Sequence, residues 1–188
     1  NYGVDIDETL ANETVKNYRR ANKRIVSLWH DVNQAVLNVV DRKEKVSKLG
    51  KLRINIENDW LTIRLPSGRK LTYYKPLTEN SENSGRFKTT FLGVGFTRKW
   101  QRIDTYGGKI VENVTQAVAR DVLSANLHLI ESAGYSIVTT VHDEVVTLCP
   151  DEEQYNAPAL SALLSTQPSW AEGLPLDAKG FEGQRYSK

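Results

Sequence analysis

Five consecutive residues, Val141-His142-Asp143-Glu144-Val145, place an imidazole beside two carboxylates. They lie between two strand-forming segments, Tyr135 to Thr140 and Val145 to Cys149, so the sequence predicts a β-hairpin with the polar residues at its turn. A hairpin turn usually contains Gly, Asn or Pro, so a chemical role is one reason for this composition. Two carboxylates at a bend can hold a hard divalent cation such as Mg²⁺ against phosphate oxygens. An acidic, solvated turn is the alternative that these residues alone leave open.

A long helix is predicted just before this hairpin, from about residue 110 to 132. Its apolar residues recur every three or four positions and predict its core face. That face comprises Val111, Val114, Val118, Val122, Ala125 and Leu129. A polar row on the opposite side comprises Lys109, Asn113, Gln116 and Arg120. Asn and Gln can donate to minor-groove acceptors of a nucleic acid, and Lys and Arg can reach phosphates. A plain solvent-exposed helix face is the alternative.

The remaining elements follow from periodicity and turn residues. Asp7 is expected to cap a helix that runs to about Arg20, and a second helix near Asn22 carries an apolar stripe in which Trp29 anchors the core. A β-meander is predicted over 52–74, a mobile loop over 78–84, a strand over 91–96 and an irregular basic segment over 97–108. The second helix is expected to have a basic, polar end over 41–51, with Gly50 as its stop. A weak helix over 157–164 and a last strand over 174–180 complete the prediction.

The composition bounds the class of protein. The chain has 188 residues, of which 39% are hydrophobic and 26% charged, as in a soluble globular domain. Its apolar runs fall short of the roughly 20 residues of a membrane span. The single cysteine, Cys149, is expected to be buried and cannot form an internal disulfide, which fits a reducing cytoplasm. A net charge of +2 does not identify a nucleic-acid binder by itself, although basic residues concentrate in the middle third.

The motifs, taken in order, resemble the C-terminal palm region of the DNA polymerase I family (family A), in its phage-type branch. The resemblance rests on a Gly-Lys pair, a helix bearing Gln-Ala-x-Ala-Arg-Asp, an Ala-Gly-Tyr turn and Val-His-Asp-Glu. They are Gly108-Lys109, residues 116–121, Ala133-Gly134-Tyr135 and residues 141–144. It extends to Tyr18-Arg19-Arg20-Ala21-Asn22, Leu65-Pro66-Ser67-Gly68-Arg69 and Gly173-Leu174-Pro175-Leu176.

The resemblance implies an α+β fold: an antiparallel palm-type sheet with a His-Asp-Glu β-hairpin, packed against helices, and an N-terminal helical fingers portion. Residues 1–50 would be the fingers side, 51–104 the β-meander and basic loop, and 105–188 the palm helix, hairpin and last strand. Together they would form one compact piece of a larger polymerase. Its missing N-terminal portion would contain thumb and exonuclease domains. The polymerase would be located in the cytoplasm of a bacterial cell, with a phage or prophage as the source of its gene. The lack of any Met also indicates a trimmed, processed or excised piece.

The implied activity is template-directed DNA synthesis in DNA replication, with primer–template DNA and deoxynucleoside triphosphates as partners and no membrane. Family members use two Mg²⁺ ions, which Mn²⁺ can replace. By resemblance Asp143 is a catalytic metal ligand, Glu144 a less critical catalytic neighbour, and His142 a contact of the primer end. Gln116 matches a glutamine that touches DNA near the primer terminus, with Asn113, Lys109 and Arg120 as further nucleic-acid contacts.

The chain also departs from the cellular pattern. Cellular members have Arg and Asn where this chain has Gly108 and Glu112, so Lys109 and Asn113 are the candidate replacements. Neither an Asp-Tyr-Ser metal motif nor the Lys- and Arg-bearing fingers helix occurs in the sequence. The isolated chain is therefore expected to be inactive. Two alternatives remain: a non-enzymatic nucleic-acid-binding remnant of a polymerase, and a metal-dependent nuclease or phosphatase using His142, Asp143 and Glu144.

Overall fold

The computed structural model describes residues 7–80 and 87–186. The chain divides into two compact units. The first comprises residues 1–65 and 70–114, and the second comprises residues 66–69 and 115–188. Helices and antiparallel strands both occur, so the predicted α+β class is confirmed.

Two helices open the first unit. Helix α1 spans Glu8–Ala21, and Asp7 caps it by accepting a hydrogen bond from the Leu10 amide at 2.7 Å, as predicted. Helix α2 spans Lys23–Val40. Its second half is the buried part, including Val32 and Val36, whereas the stripe near its start is half-exposed or exposed. Trp29 is half-buried and its ring stacks against Tyr18 with centroids 6.3 Å apart.

A six-stranded antiparallel meander forms the rest of the first unit. Its strands are β1 (Val46–Leu49), β2 (Leu52–Glu57), β3 (Trp60–Arg64), β4 (Lys70–Asn80), β5 (Phe87–Val94) and β6 (Trp100–Thr105). Each strand pairs with the next one along the chain. The predicted basic end of the second helix over 41–51 was wrong, because α2 ends at Val40 and β1 forms within that segment. The predicted irregular segment over 97–108 was wrong in part, because β6 forms there. The predicted loop over 78–84 is strand β4 up to Asn80, and the remainder lies outside the described residues.

One face of this sheet packs against α2. Ile54, Leu61 and Ile63 are fully buried there with Val32 and Val36 of the helix. Burial of each such side chain is worth about 1.5–3 kcal/mol. The opposite face of the sheet consists of the alternate residues along each strand, because successive side chains point to opposite sides.

Helix α3 spans Gly107–Ser132 and starts within the first unit before continuing into the second. The second unit also contains β7 (Ser136–Val141), β8 (Glu144–Leu148), α4 (Ala157–Leu164) and a 3₁₀ turn over Ser169–Ala171. Strands β7 and β8 form a two-stranded antiparallel sheet of their own. The predicted helix over 157–164 is confirmed. The predicted strand over 174–180 was wrong, since that segment has no regular structure. Cys149 is exposed, so its predicted burial was wrong as well.

The predicted stripe of α3 is confirmed in part, since Val122 is buried and Val111 and Val114 pack against the core. Besides Gly107, the buried residues of the helix are Ile110, Ala117, Val122, Leu123, Asn126 and Ile130. Leu129, predicted to be core, is 40% exposed. The amide of Asn126 donates to the carbonyl oxygens of Leu164 and Thr166 at 2.7 and 2.9 Å. A buried Ala and a buried Asn with two amide hydrogen bonds carry little hydrophobic signal, so periodicity alone located this face only in part. Within the described ranges, no helix is long and apolar enough to span a membrane.

Candidate functional site

The start of α3 is fixed by close packing on α2. The Gly107 amide donates to Asn33 Oδ1 at 3.0 Å. A Cβ at Gly107 would overlap the backbone carbonyl of Trp29, so only glycine allows this approach. The first two turns of α3, which carry Lys109 and Asn113, are therefore fixed within the first unit.

Lys109 and Asn113 both bond to neighbours. Lys109 Nζ donates to both carboxylate oxygens of Glu112 at 2.9 Å, and this hydrogen bond raises the pKa of Lys109. Asn113 Nδ2 donates to the hydroxyl of Tyr73 at 3.0 Å. Burial raises the pKa of Tyr73, so its phenol stays neutral and accepts this bond at physiological pH. Asn113 is half-buried, and its predicted contact with nucleic acid stays a prediction.

We expect Asn113→Ala to lower the free energy of unfolding by about 1 kcal/mol, because it leaves the buried Tyr73 hydroxyl without this donor. Chemical denaturation measures the change, and Tyr73→Phe in the Asn113→Ala background should recover part of it. A variant as stable as the parent chain would contradict the structural role of this bond. Lys109→Ala provides the control, since its exposed ion pair with Glu112 contributes little to stability.

The second half of the polar row belongs to the second unit. Gln116 and Arg120 are exposed, whereas Ala117 between them is buried. Arg120 Nη1 lies 3.4 Å from Thr140 Oγ1 on strand β7. Thr140 directly precedes Val141 at the end of that strand. The exposed guanidinium of α3 therefore approaches the end of β7 that leads into the turn.

A network that sequence reasoning missed anchors the Pro66–Arg69 turn to α3. Asp121 accepts a hydrogen bond from Ser67 Oγ and another from Arg69 Nε, each at 2.5 Å. Arg69 Nη2 also donates to the backbone carbonyl of Ala117 at 2.8 Å. The Asp121 side chain is only 9% exposed. Arg69 and Asp121 lie in two motifs of the family resemblance, Leu-Pro-Ser-Gly-Arg and Gln-Ala-x-Ala-Arg-Asp. The sequence did not indicate that these two residues bond to each other.

The predicted site residues His142 and Asp143 form the turn between β7 and β8. Val141 pairs with Glu144 across the turn. His142 has a positive φ of 54°, which a two-residue hairpin turn requires at its first position when the turn is of the II′ kind. His142, Asp143 and Glu144 are all exposed. The Tyr186 hydroxyl donates to Glu144 Oε2 at 3.1 Å, so Glu144 has a partner within the unit.

The second unit thus contains Gln116, Arg120, His142, Asp143 and Glu144, while Lys109 and Asn113 belong to the first. In the part of the chain that the structure describes, no three His, Cys, Asp or Glu side chains converge as a metal site. Mg²⁺ commonly binds through one or two carboxylates together with substrate phosphates and water. The exposed Asp143 carboxylate fits such a shared site as one ligand.

The amino-acid sequence of the chain is similar to that of a curated phage protein. The chain is 42% identical over 176 residues to a DNA polymerase of Bacillus phage SP02. The chain is similar to part of a phage DNA polymerase. The match covers 94% of this chain but only 27% of the phage polymerase. No protein family matches the chain, and no solved structure does.

Proposed function

We propose that this chain is the palm part, with some fingers helices, of a template-directed DNA polymerase of the DNA polymerase I family. The similarity to the phage SP02 polymerase across nearly the whole chain carries this proposal. The family assignment rests on the motifs of α3 and of the β7–β8 turn. The polymerase would act on primer–template DNA and deoxynucleoside triphosphates in the cytoplasm of a bacterial or phage-infected cell.

In this proposal Asp143 supplies a metal-binding carboxylate. Two divalent ions, Mg²⁺ or Mn²⁺, would stabilise the attacking and leaving oxygens of the phosphoryl transfer. Asp143 lies at an exposed turn, where its carboxylate is accessible to an ion from solvent. Strand pairing between Val141 and Glu144 fixes the turn that carries it. The second essential carboxylate and the nucleotide-binding cations would come from parts of the polymerase outside this chain, which matches 27% of the phage SP02 polymerase.

Residues of α3 and the turn would hold the DNA. Gln116 and Arg120 are exposed on one side of the helix, and Arg120 approaches strand β7. A glutamine can donate to minor-groove acceptors near the primer terminus, and an arginine can bind a backbone phosphate. His142, at the first position of the turn, would contact the primer end. Lys109 would bind a backbone phosphate once its ion pair with Glu112 opens, and Asn113 would donate to DNA once it releases the Tyr73 hydroxyl.

A domain exchange tests the proposal. This chain replaces the matching segment of the phage SP02 polymerase, and primer extension is measured with a labelled primer and all four nucleotides. We expect template-directed extension by the chimera, because the segment would supply the same carboxylate and DNA contacts. The free 188-residue chain is the matched control, and we expect it to extend no primer.

A folded chimera that binds DNA but extends no primer would contradict the proposal and favour the non-enzymatic remnant. Extension by the free chain would instead show that the chain assembles a complete site alone. Circular dichroism and thermal melting of the chimera establish that it is folded in either case.

A further inference from the structure

The face of the six-stranded sheet that does not pack on α2 carries an unusual row of charges. Lys48 pairs directly with Arg53, Arg53 with Arg64, and Arg64 with Lys70, across strands β1 to β4. Directly paired residues share one face of a sheet, with Cβ atoms about 5 Å apart. Four cations therefore lie side by side, and all four are exposed. We call these residues the cationic row.

This arrangement costs stability, because like charges directly opposite each other on a sheet repel. A groove of about 280 Å³ lies along the row, and Glu57 is the only acidic residue that lines it within the described residues. Glu57 is bonded to Lys70 at 2.7 Å, which lowers the pKa of Glu57 and keeps it ionised. Four positive charges thus face one negative charge. A polyanion bound along the row would relieve the repulsion.

An aromatic row lies four positions further along the same face. Trp60 pairs with Tyr74, and their ring centroids are 4.7 Å apart. The ring of Trp100, on strand β6, also lies close to Tyr74, with ring centroids 6.5 Å apart. Trp60 is 39% exposed and Trp100 is 66% exposed. Lys75 Nζ lies 5.5 Å from the centre of the Tyr74 ring. Tyr74 pairs with Leu92 and Leu92 pairs with Arg102, so Arg102 lies on the same face of the sheet as Tyr74.

We propose that this face of the sheet binds single-stranded DNA, with phosphates on the cationic row and unpaired bases stacked on Trp60 and Trp100. Cations that follow the backbone and exposed rings that stack on bases are the two elements of sequence-tolerant single-strand binding. The rows are about 13 Å apart, because each residue of a strand advances about 3.3 Å. A few nucleotides running along β3 therefore reach both rows.

The rings select a single strand over a duplex, because bases within a duplex are already stacked on one another and cannot cover a tryptophan. The choice of DNA over RNA rests on the proposed polymerase function, in which the unpaired template strand is the available ligand. The surface lies entirely in the first unit and includes none of the residues of the β7–β8 turn.

The charge contribution is tested with Arg64→Glu. Fluorescence anisotropy of a labelled 20-nucleotide oligo-dT measures the affinity of the 188-residue chain at several salt concentrations. We expect at least roughly tenfold weaker binding and a shallower salt dependence, since fewer counterions are released. We also expect an unchanged or higher melting temperature, because the new carboxylate lies between Arg53 and Lys70. Arg24→Glu, an exposed change of equal charge on α2, is the control and should retain most of the affinity.

The stacking contribution is tested with Trp100→Ala. We expect roughly tenfold weaker binding of oligo-dT and no change for an abasic oligonucleotide of the same length, which lacks bases to stack. Phe181→Ala, which also removes an exposed aromatic side chain, is the control. Unchanged affinity in Arg64→Glu or Trp100→Ala would overturn the proposal. So would equal affinity for the abasic oligonucleotide, for a duplex or for a sulfated polysaccharide.

Tighter binding of oligo-U than of oligo-dT would overturn the choice of DNA. None of these measurements involves nucleotide addition. Loss of primer extension in the chimera with intact oligo-dT binding would remove the proposed polymerase function and leave this surface standing, and the reverse result would remove only the surface.

Discussion

Replacing Asp143 by alanine is expected to abolish nucleotide addition in the chimeric polymerase, with a loss on the order of 10³-fold or more, equivalent to about 4 kcal/mol of transition-state stabilisation. Asp143 is exposed at the turn between β7 and β8, so its removal takes no packed volume from the fold. The loss should therefore appear in turnover, while the dissociation constant for primer–template DNA stays close to that of the parent. Single-nucleotide incorporation with saturating DNA and Mg²⁺ measures the turnover.

Two neighbouring substitutions sharpen this prediction. Glu144→Ala should cost less turnover, because Glu144 lies on strand β8 and is bonded to Tyr186. Gln116→Ala should weaken primer–template binding and leave turnover at saturating DNA largely intact. Near-normal turnover in Asp143→Ala would refute its role as a metal ligand. Loss of thermal stability in Gln116→Ala with unchanged DNA affinity would make Gln116 a structural residue.

Asp121→Ala is expected to lower the free energy of unfolding by about 2–3 kcal/mol. The change removes the acceptor of the Ser67 and Arg69 hydrogen bonds, and bonds to a charged group contribute more than neutral ones. The value stays below that of a fully buried ion pair because the Arg69 side chain is 46% exposed. For a chain of this size the melting temperature should fall by roughly 5–10 °C in calorimetry.

A double-mutant cycle with Arg69→Ala separates the pair from other effects of each change. Strong coupling between Asp121 and Arg69 is the expected result, and independent effects of the two changes would argue against the network. Asp104→Ala is the matched control. It removes one partner of the exposed Lys88–Asp104 pair and should change stability by less than about 0.5 kcal/mol.

The sequence predicted those elements whose signal is local. The buried second half of α2 and strands β2 and β3 were found because their apolar residues repeat with the period of a helix or a strand. Strand β1 was missed because its residues, Val-Ser-Lys-Leu, lie in a basic segment and depend on pairing with β2. Strand β6 was missed for a similar reason, since Gln, Arg and Asp occupy half of its positions.

The sequence predicted the turn of the candidate site but not the long-range hydrogen bonds around it. The position of the His142–Asp143 turn followed from the strand-forming residues on either side of it. The bond between Asn113 and Tyr73 joins residues 40 positions apart, and the bond between Arg69 and Asp121 joins residues 52 apart. Spacing along the chain carries no information about such pairs. The expected strand over 174–180 failed because Pro175 lacks an amide donor, and the Leu174 carbonyl accepts instead from Gln167 Nε2.

The order of the six-stranded sheet has a consequence for how the chain acquires its structure. Every strand pairs with its immediate predecessor, so each hairpin closes only a short loop and pays a small entropic cost. Such local connectivity favours rapid folding. During synthesis the sheet can add one strand at a time behind α2, and its last strand ends at Thr105, before α3 begins. The cationic row is complete once β4 has paired with β3, so its formation does not depend on β5 or β6.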